Sequence, residues 1–258
     1  MRPLWIGAIS FGLVNIPVKL FSAVHASELD LDMLDKKDFS HIKYMRVNER
    51  THKGVDWGNI VKGYKLNNKY IILDDKDFET ANAVKTKVIE ITDFVEEKQI
   101  DSIYFEMPYY LTPDKSGERA YSLLREALKK TGKVGVATFV MRNKESLAIL
   151  RATNDIIILN RLRFAEEIRD TNELEISAKT VAKPAELKMA ISLINQLSGK
   201  FNINQNKDTY TAQLLKIIKS KAKGAKPAVP QMKVVHSRAK DLMSQLKASL
   251  TTKPKKAS

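Results

Sequence analysis

The side chains able to do chemistry are few and thinly spread. Asp74, Asp75 and Asp77 place three carboxylates close together, the donor type that the divalent cation of a nuclease needs. They follow the apolar run Tyr70 to Leu73 and open the segment Asp77-Phe-Glu-Thr-Ala, where acids accept from the unpaired amides of a helix start. Capping is the role this position predicts. Lys130-Thr-Gly132 and Ser220-x-x-Lys223 echo pieces of serine acyl-enzyme signatures, but in reversed order and with the serine in lysine-rich sequence. Gly132-Lys-Val-Gly135 has the spacing of a loop that clamps an RNA backbone, yet it joins a helix pattern to a strand pattern as stop and turn. His25, His41, His52 and His236 are scattered and cysteine is absent, so neither a metal cluster nor a disulfide is expected. No phosphate-binding or dinucleotide-binding glycine loop occurs. The expectation is a protein that is not an enzyme, with no catalytic residue, no metal and no cofactor.

Charge points to a different kind of function. The net charge is +14, and it is uneven. Residues 216–258 hold twelve Lys and Arg against the single acid Asp241, a net of +11, which leaves +3 for residues 1–215. A body near balance with a basic tail suits a polyanion, because each phosphate contact releases counterions. A tail that only aids solubility is the plainer alternative. The tail cations are Lys216, Lys219, Lys221, Lys223, Lys226, Lys253, Lys255 and Lys256, set in nearly acid-free sequence read as flexible. In the body, Lys43, Arg46, Arg50 and Lys53 flank a hairpin pattern at 41–57, Lys62 and Lys65 lie on its return, and Arg142 follows a later strand. If Ile42 and Tyr44 face one way, Lys43 faces the other. Spacing therefore gives no single cationic face, and solvated charge and DNA contact stay equally open for each.

The elements that must position these groups are mostly short strands. Alternation and turn residues predict strands at 4–11, 13–24, 41–47, 61–66, 69–73, 87–94 and 102–111, with turns at Lys53-Gly54, Gly58-Asn59 and Asn67-Asn68. In 4–11 both alternating sets are apolar, as a strand closing a barrel requires, and Pro17 demands an edge or a bulge in the next strand. A helix over 116–131 has Ser116 as cap and Gly132 as stop. Strands at 133–141 and 155–160 complete the sheet, with a short helix around 143–151 between them. The fold class is mixed and mainly β: a barrel core over 1–170, a helical arm over 171–222 and a flexible basic tail over 223–258. Amphipathic helices at 184–198 and 207–222 have little core left to cover, so Leu187, Ile191 and Ile194 are expected to pack on a second subunit. In the tail, Ser237 can cap a helix over 237–250 whose Ala239, Leu242, Met243, Leu246 and Leu250 form a stripe. Such a helix forms on docking, either to a partner or back on its own barrel. No apolar run approaches a membrane span, and Met1-Arg-Pro leads into a strand rather than a signal peptide, so a soluble cytoplasmic protein is expected.

Several blocks carry a family resemblance. Leu4-Trp-Ile-Gly-Ala-Ile-Ser-Phe-Gly-Leu-Val-Asn-Ile-Pro-Val-Lys-Leu-Phe-Ser-Ala-Val24 is similar to the amino terminus of the prokaryotic Ku proteins, DNA-end-binding factors of bacterial non-homologous end joining. Val61-Lys-Gly-Tyr-Lys65, Lys69-Tyr-Ile-Ile-Leu73, Ile103-Tyr-Phe-Glu-Met-Pro-Tyr-Tyr-Leu-Thr-Pro-Asp114, Ala120 to Leu128, Gly132 to Arg142 and Asp155 to Leu159 keep that family's order. Together they cover roughly residues 1–170. Where many relatives carry a Cys-x-x-Cys pair, this chain has Asn48 and Thr51.

The resemblance implies a homodimer whose barrels, each with an arch inserted near 40–70, encircle duplex DNA from an end without reading sequence. It implies double-stranded DNA ends as ligand, recruitment of the ATP-dependent DNA ligase D, no membrane partner and a nucleoid-associated location. It assigns the arch cations to DNA and leaves Leu242, Met243 and Leu246 as the stripe that docks a partner. Two competitors are a chromatin protein that coats DNA through its tail and a structural dimer whose tail binds RNA.

Overall fold

Alternating burial builds the first of two units. The computed structural model describes residues 1–81, 87–142, 144–174, 182–224 and 242–251. One unit comprises residues 1–26 and 30–171, the other residues 27–29 and 172–258. In the first, β1 (Trp5–Phe11) and β2 (Val14–Ser22) form a hairpin that turns at Gly12, whose φ of 58° suits glycine. Ile9, Ile16, Val18 and Leu20 are buried, whereas Ile6 on the other face of β1, and Leu4 just before the strand, are exposed. The chain then leaves the sheet. It forms β3 (Lys62–Leu66), β4 (Lys69–Leu73) and α1 (Asp75–Ala81) before returning as β5 (Val88–Glu96). β6 (Phe105–Pro113), α2 (Glu118–Thr131), β7 (Lys133–Met141), β8 (Lys144–Thr153) and β9 (Ile156–Leu162) follow.

Seven strands close a barrel in the order β1-β2-β6-β9-β8-β7-β5, and β5 lies parallel to β1. A parallel neighbour needs a long crossover, and residues 23–87 supply it. Pro17 fits because its ladder to β6 begins only at Val18, while its carbonyl accepts from the Asp114 amide at 2.9 Å. Pro108 sits at the irregularity of the β6–β9 ladder. Inside, Phe139, Leu150, Ile157 and Leu159 meet Leu124 and Leu128 of α2. Outside, Ile149, Val134 and Leu162 are covered by Ile100, Tyr104 and Phe105. The Tyr121 hydroxyl donates to the Leu111 carbonyl and accepts from the Ile157 amide at 2.7 Å, bridging the two residues of the last pair in the β6–β9 ladder. Burial holds that phenol above its usual pKa.

Three local expectations are corrected. Residues 144–153 form β8, not a helix around 143–151. Leu147 and Ile149 on one side and Ala148 and Leu150 on the other all find apolar partners between β7 and β9, and that outweighs helix propensity. Residues 41–47 are not a strand. Only the single bridges Leu34–His41 and Val47–Gly54 form there, because the segment is exposed and meets no further strand. The cap of α2 is Gly117 rather than Ser116, and a short 3-10 turn, Lys115–Gly117, precedes it. A Cβ on Gly117 would lie 2.9 Å from the Pro17 carbonyl oxygen, so close packing dictates the residue. Gly132 ends α2 with φ of 64°, and Asn67-Asn68, both at positive φ, turn β3 into β4.

The second unit is helical: α3 (Pro184–Leu197), α4 (Thr209–Ala222) and α5 (Leu242–Thr251). Asp208 caps α4 by accepting from the Thr211 amide at 3.0 Å. That bond and one from the Thr211 hydroxyl hold the carboxyl below the usual range, the hydroxyl being the larger cause. α5 packs on α3. Of the expected tail helix over 237–250, residues 237–241 lie outside the described residues. No helix among the described residues is long and apolar enough to cross a membrane.

Candidate nucleic-acid interface

The acidic triplet resolves into a cap. The Asp77 amide donates to the Asp74 carboxylate at 3.0 Å, and the Asp74 amide to the Asp77 carboxylate at 2.9 Å. This reciprocal box occupies two of the three acids at the start of α1. Among the described residues no group of His, Asp and Glu is arranged to hold a metal ion.

Polar side chains also shape the crossover that carries the arch cations. Two six-residue loops share one pattern. In 35–40 the Asp35 amide donates to the Ser40 carbonyl, the Phe39 amide to the Asp35 carbonyl, and the Lys37 amide to the Asp35 carboxylate, each at 2.8 Å. In 48–53 the Asn48 amide donates to the Lys53 carbonyl, the His52 amide to the Asn48 carbonyl, and the Arg50 amide to the Asn48 side-chain oxygen. Phe39 and His52 occupy the same positive-φ position. The Asn48 oxygen also accepts from the Thr51 amide, both side-chain bonds being 3.0 Å. One carboxamide thus closes the loop.

The predicted arch cations are all exposed but differently held. The Arg46 guanidinium stacks over the Trp57 ring, 4.2 Å from its centroid, and the Lys62 ammonium lies 4.5 Å from that of Phe78. Lys62 and Lys65 project from opposite faces of the β3–β4 ribbon: Lys62 pairs with Leu73, and Lys65, three residues on, pairs with Tyr70. Lys43, Arg50 and Lys53 reach solvent around the two loops, and Arg142, at φ 53°, stands at the β7–β8 turn. The structure therefore brings Arg46 and Lys62 onto aromatic supports and leaves Lys65 and Arg142 apart from them. The supports Trp57 and Phe78 went unrecognised in the sequence, where only the mixture of cations and aromatics hinted at them. Tyr44, Trp57, Tyr64 and Tyr70 are each more than 60 % exposed, so the crossover offers rings as well as charge.

In the helical unit, Lys216, Lys219 and Lys221 lie on α4, with Lys223 at its C-cap. The flexible reading of this stretch is corrected: Leu214 and Ile217, half-buried, fix one side of the helix, and Lys216, Lys219 and Lys223 follow the opposite one. Lys226, Lys253, Lys255 and Lys256 lie outside the described residues. On α3, Leu187, Ile191 and Ile194 are about half exposed, whereas Met189, Ala190 and Leu193 on its other side are half-buried. Met243, Leu246 and Leu250 of α5 are also half-buried, and Gln196 of α3 donates to the Leu250 carbonyl at 3.5 Å. The tail stripe expected to meet a partner or the barrel is thus laid against α3; the side chain of Leu242 lies outside the described residues.

Comparison with known proteins places this geometry. Residues 10–189 match the family model described as the Ku70/Ku80 beta-barrel domain. A non-homologous end joining protein Ku of Coxiella burnetii is 38% identical over 98% of this chain and 96% of its own length. Proteins of the same name from Bacillus subtilis, 37% identical over 97% of this chain and 82% of theirs, and Archaeoglobus fulgidus, 38% identical over 97% and 98%, are similarly close. Among solved structures, the SPOC domain of human PHD-finger protein 3 aligns with a TM-score of 0.31 and 12% identity, over 62% of this chain and 95% of that one.

Proposed function

Since this chain belongs to the Ku family, we propose that it acts as a homodimeric ring that holds double-stranded DNA ends without sequence specificity and recruits a DNA ligase for their joining. The observation that carries this reading is the crossover between β2 and β5. It projects cations and aromatic rings together, with almost every residue from 39 to 73 exposed. An apolar and cationic surface of that kind is left bare only where something covers it. A second copy and the DNA between the two copies supply that cover. The cations Lys43, Arg46, Arg50, Lys53, Lys62 and Lys65 would touch phosphates, and Arg142 would add a contact from the barrel. They position the duplex and read no base. The exposed stripe Leu187, Ile191 and Ile194 of α3 would pack across the two-fold axis.

The tail would add sequence-independent attraction through Lys216 to Lys226 and Lys253, Lys255 and Lys256. Leu242, Met243 and Leu246 would reach the ATP-dependent DNA ligase D once α5 leaves α3. No chemistry is asked of the chain, and its place is on the nucleoid. The basic tail also favours a second reading, a protein that coats DNA and uses the barrel as scaffold.

Linear duplexes and covalently closed circles of one sequence separate the two readings. A ring prefers the linear form and stays trapped when the ends are blocked after loading. Equal affinity for intact circles at moderate salt would leave the coating reading in place.

A further inference from the structure

The barrel carries an apolar cleft that the proposed ring does not use. Its volume is about 410 Å³, and it lies between α2, the end of β1 and the end of β5. Leu124 and Leu128 form the buried floor, and Phe11, Phe94, Leu123 and Ala127 form the walls. Phe11 and Phe94 meet edge to face at 6.5 Å, which fixes the wall. Leu123 is 67% exposed and Phe94 41%, so the apolar lining opens to water.

The shape and the rim decide what fits. Along α2 the lining runs from Leu123 to Thr131, roughly 12 Å at 1.5 Å per residue, so it accepts two turns of a helix rather than one compact ligand. Converging polar groups, which orient a small molecule, are limited to Thr131 and Lys133. Arg119 and Lys130 flank the Leu123–Ala127 edge at helical spacing, and Lys133 stands at the end of the cleft. None of these three cations makes an ion pair among the described residues. Two acids stand beside these cations, Glu96 opposite Lys133 across the sheet and Glu126 one turn before Lys130, but Glu96 bonds Lys98 at 2.6 Å and Glu126 bonds Arg125 at 3.0 Å. A nucleic acid would leave the apolar floor empty.

We propose that this cleft is a docking site for an amphipathic helix of a protein partner, with apolar anchors at i, i+3/i+4 and i+7 and acidic residues beside them. The inference does not depend on the ring. A fluorescein-labelled helical peptide with Leu at the anchor positions and Glu elsewhere tests it on the full chain, beside one version with Ser for Leu and another with Lys for Glu. The Ser version measures attraction to the basic tail alone. The Leu/Glu peptide is expected to bind at least about tenfold more tightly than either. Ala127→Glu, at an exposed helix position, should remove that margin, and the double variant Lys130→Glu, Lys133→Glu should shift preference toward the Leu/Lys peptide. The second variant keeps the test valid if the first fails to fold. Equal binding of all three peptides, no binding, or indifference to both variants would overturn the proposal. So would displacement of the peptide by a blunt duplex with the same dependence on Ala127, which would give the cleft to DNA.

Discussion

The barrel and the crossover that leaves it are parts of one unit built on opposite terms. Along β8 and β9, Leu150, Ile157 and Leu159 are wholly buried, and their neighbours on the other face are covered too. Along β3 and β4 no side chain is buried, and Tyr64 and Tyr70 face water on opposite sides of the ribbon. The barrel holds its shape by removing apolar surface from water. The crossover holds its shape by short-range hydrogen bonds around Asp35, Asn48 and the Asp74–Asp77 box, which leaves its side chains free for a ligand. Rigidity in the two regions therefore has different sources, and substitutions should separate them.

The largest contrast is in stability. Leu150→Ala should cost about 2–5 kcal/mol in chemical denaturation, while Ile71→Ala on β4, half exposed, should stay within roughly 0.5 kcal/mol. A large loss at Ile71 in dilute protein would mean that the crossover is part of the folding core. Next comes Tyr121→Phe, which strands the Leu111 carbonyl and the Ile157 amide inside the barrel. About 1–3 kcal/mol should be lost, and amide exchange at Ile157 should quicken while that at Arg50 and Thr51 does not change.

Arg46→Ala should do the reverse. Stability should barely move, whereas the slope of log K against log salt on duplex DNA should fall by roughly 0.9. Arg46→Lys tests the stack on Trp57, and should recover the slope but not all of the affinity.

The smallest effect concerns pH. Asp114 is held below the ordinary carboxylate range, chiefly by the side-chain bond from Lys19 across β2 and β6. Asp38 in the crossover is lowered as well, chiefly by the Ser40 amide and then its hydroxyl. Both contributions are present above the unfolded value of 3.8 and are lost as pH falls through the lower folded value. Added salt should weaken only the Asp114 contribution, because Lys19 is an exposed ion-pair partner and the Ser40 bonds are not ionic on that side. Carboxylate titration followed by NMR, with and without Lys19→Ala, distinguishes the two.

Much of the barrel was legible as sequence, because its signals are local. Gly12 and the Ile16, Val18, Leu20 alternation set the first hairpin, Gly132 ends α2, Asn67-Asn68 turns β3 into β4, and the acids Asp74 and Asp77 cap the start of α1. Each depends on residues only a few positions apart, where residue type limits the backbone directly. The candidate site was legible only as composition: cations and aromatics in one stretch, and a basic tail. Which cations share a face was not, since Lys62 and Lys65 are separated by strand register and Arg46 finds Trp57 eleven positions away.

Tertiary structure alone decided the rest. Glu145, Leu147, Ala148 and Leu150 suit a helix taken by themselves, and they became a strand because β7 and β9 offered ladders and apolar neighbours on both faces. Residues 41–47 have strand alternation and no strand to pair with. The α5 stripe was visible, but its resting place on α3 was not, and neither was the cleft beside Leu123. Residue type governs what a short segment can do, and the free energy of burial depends on what the distant chain brings to it.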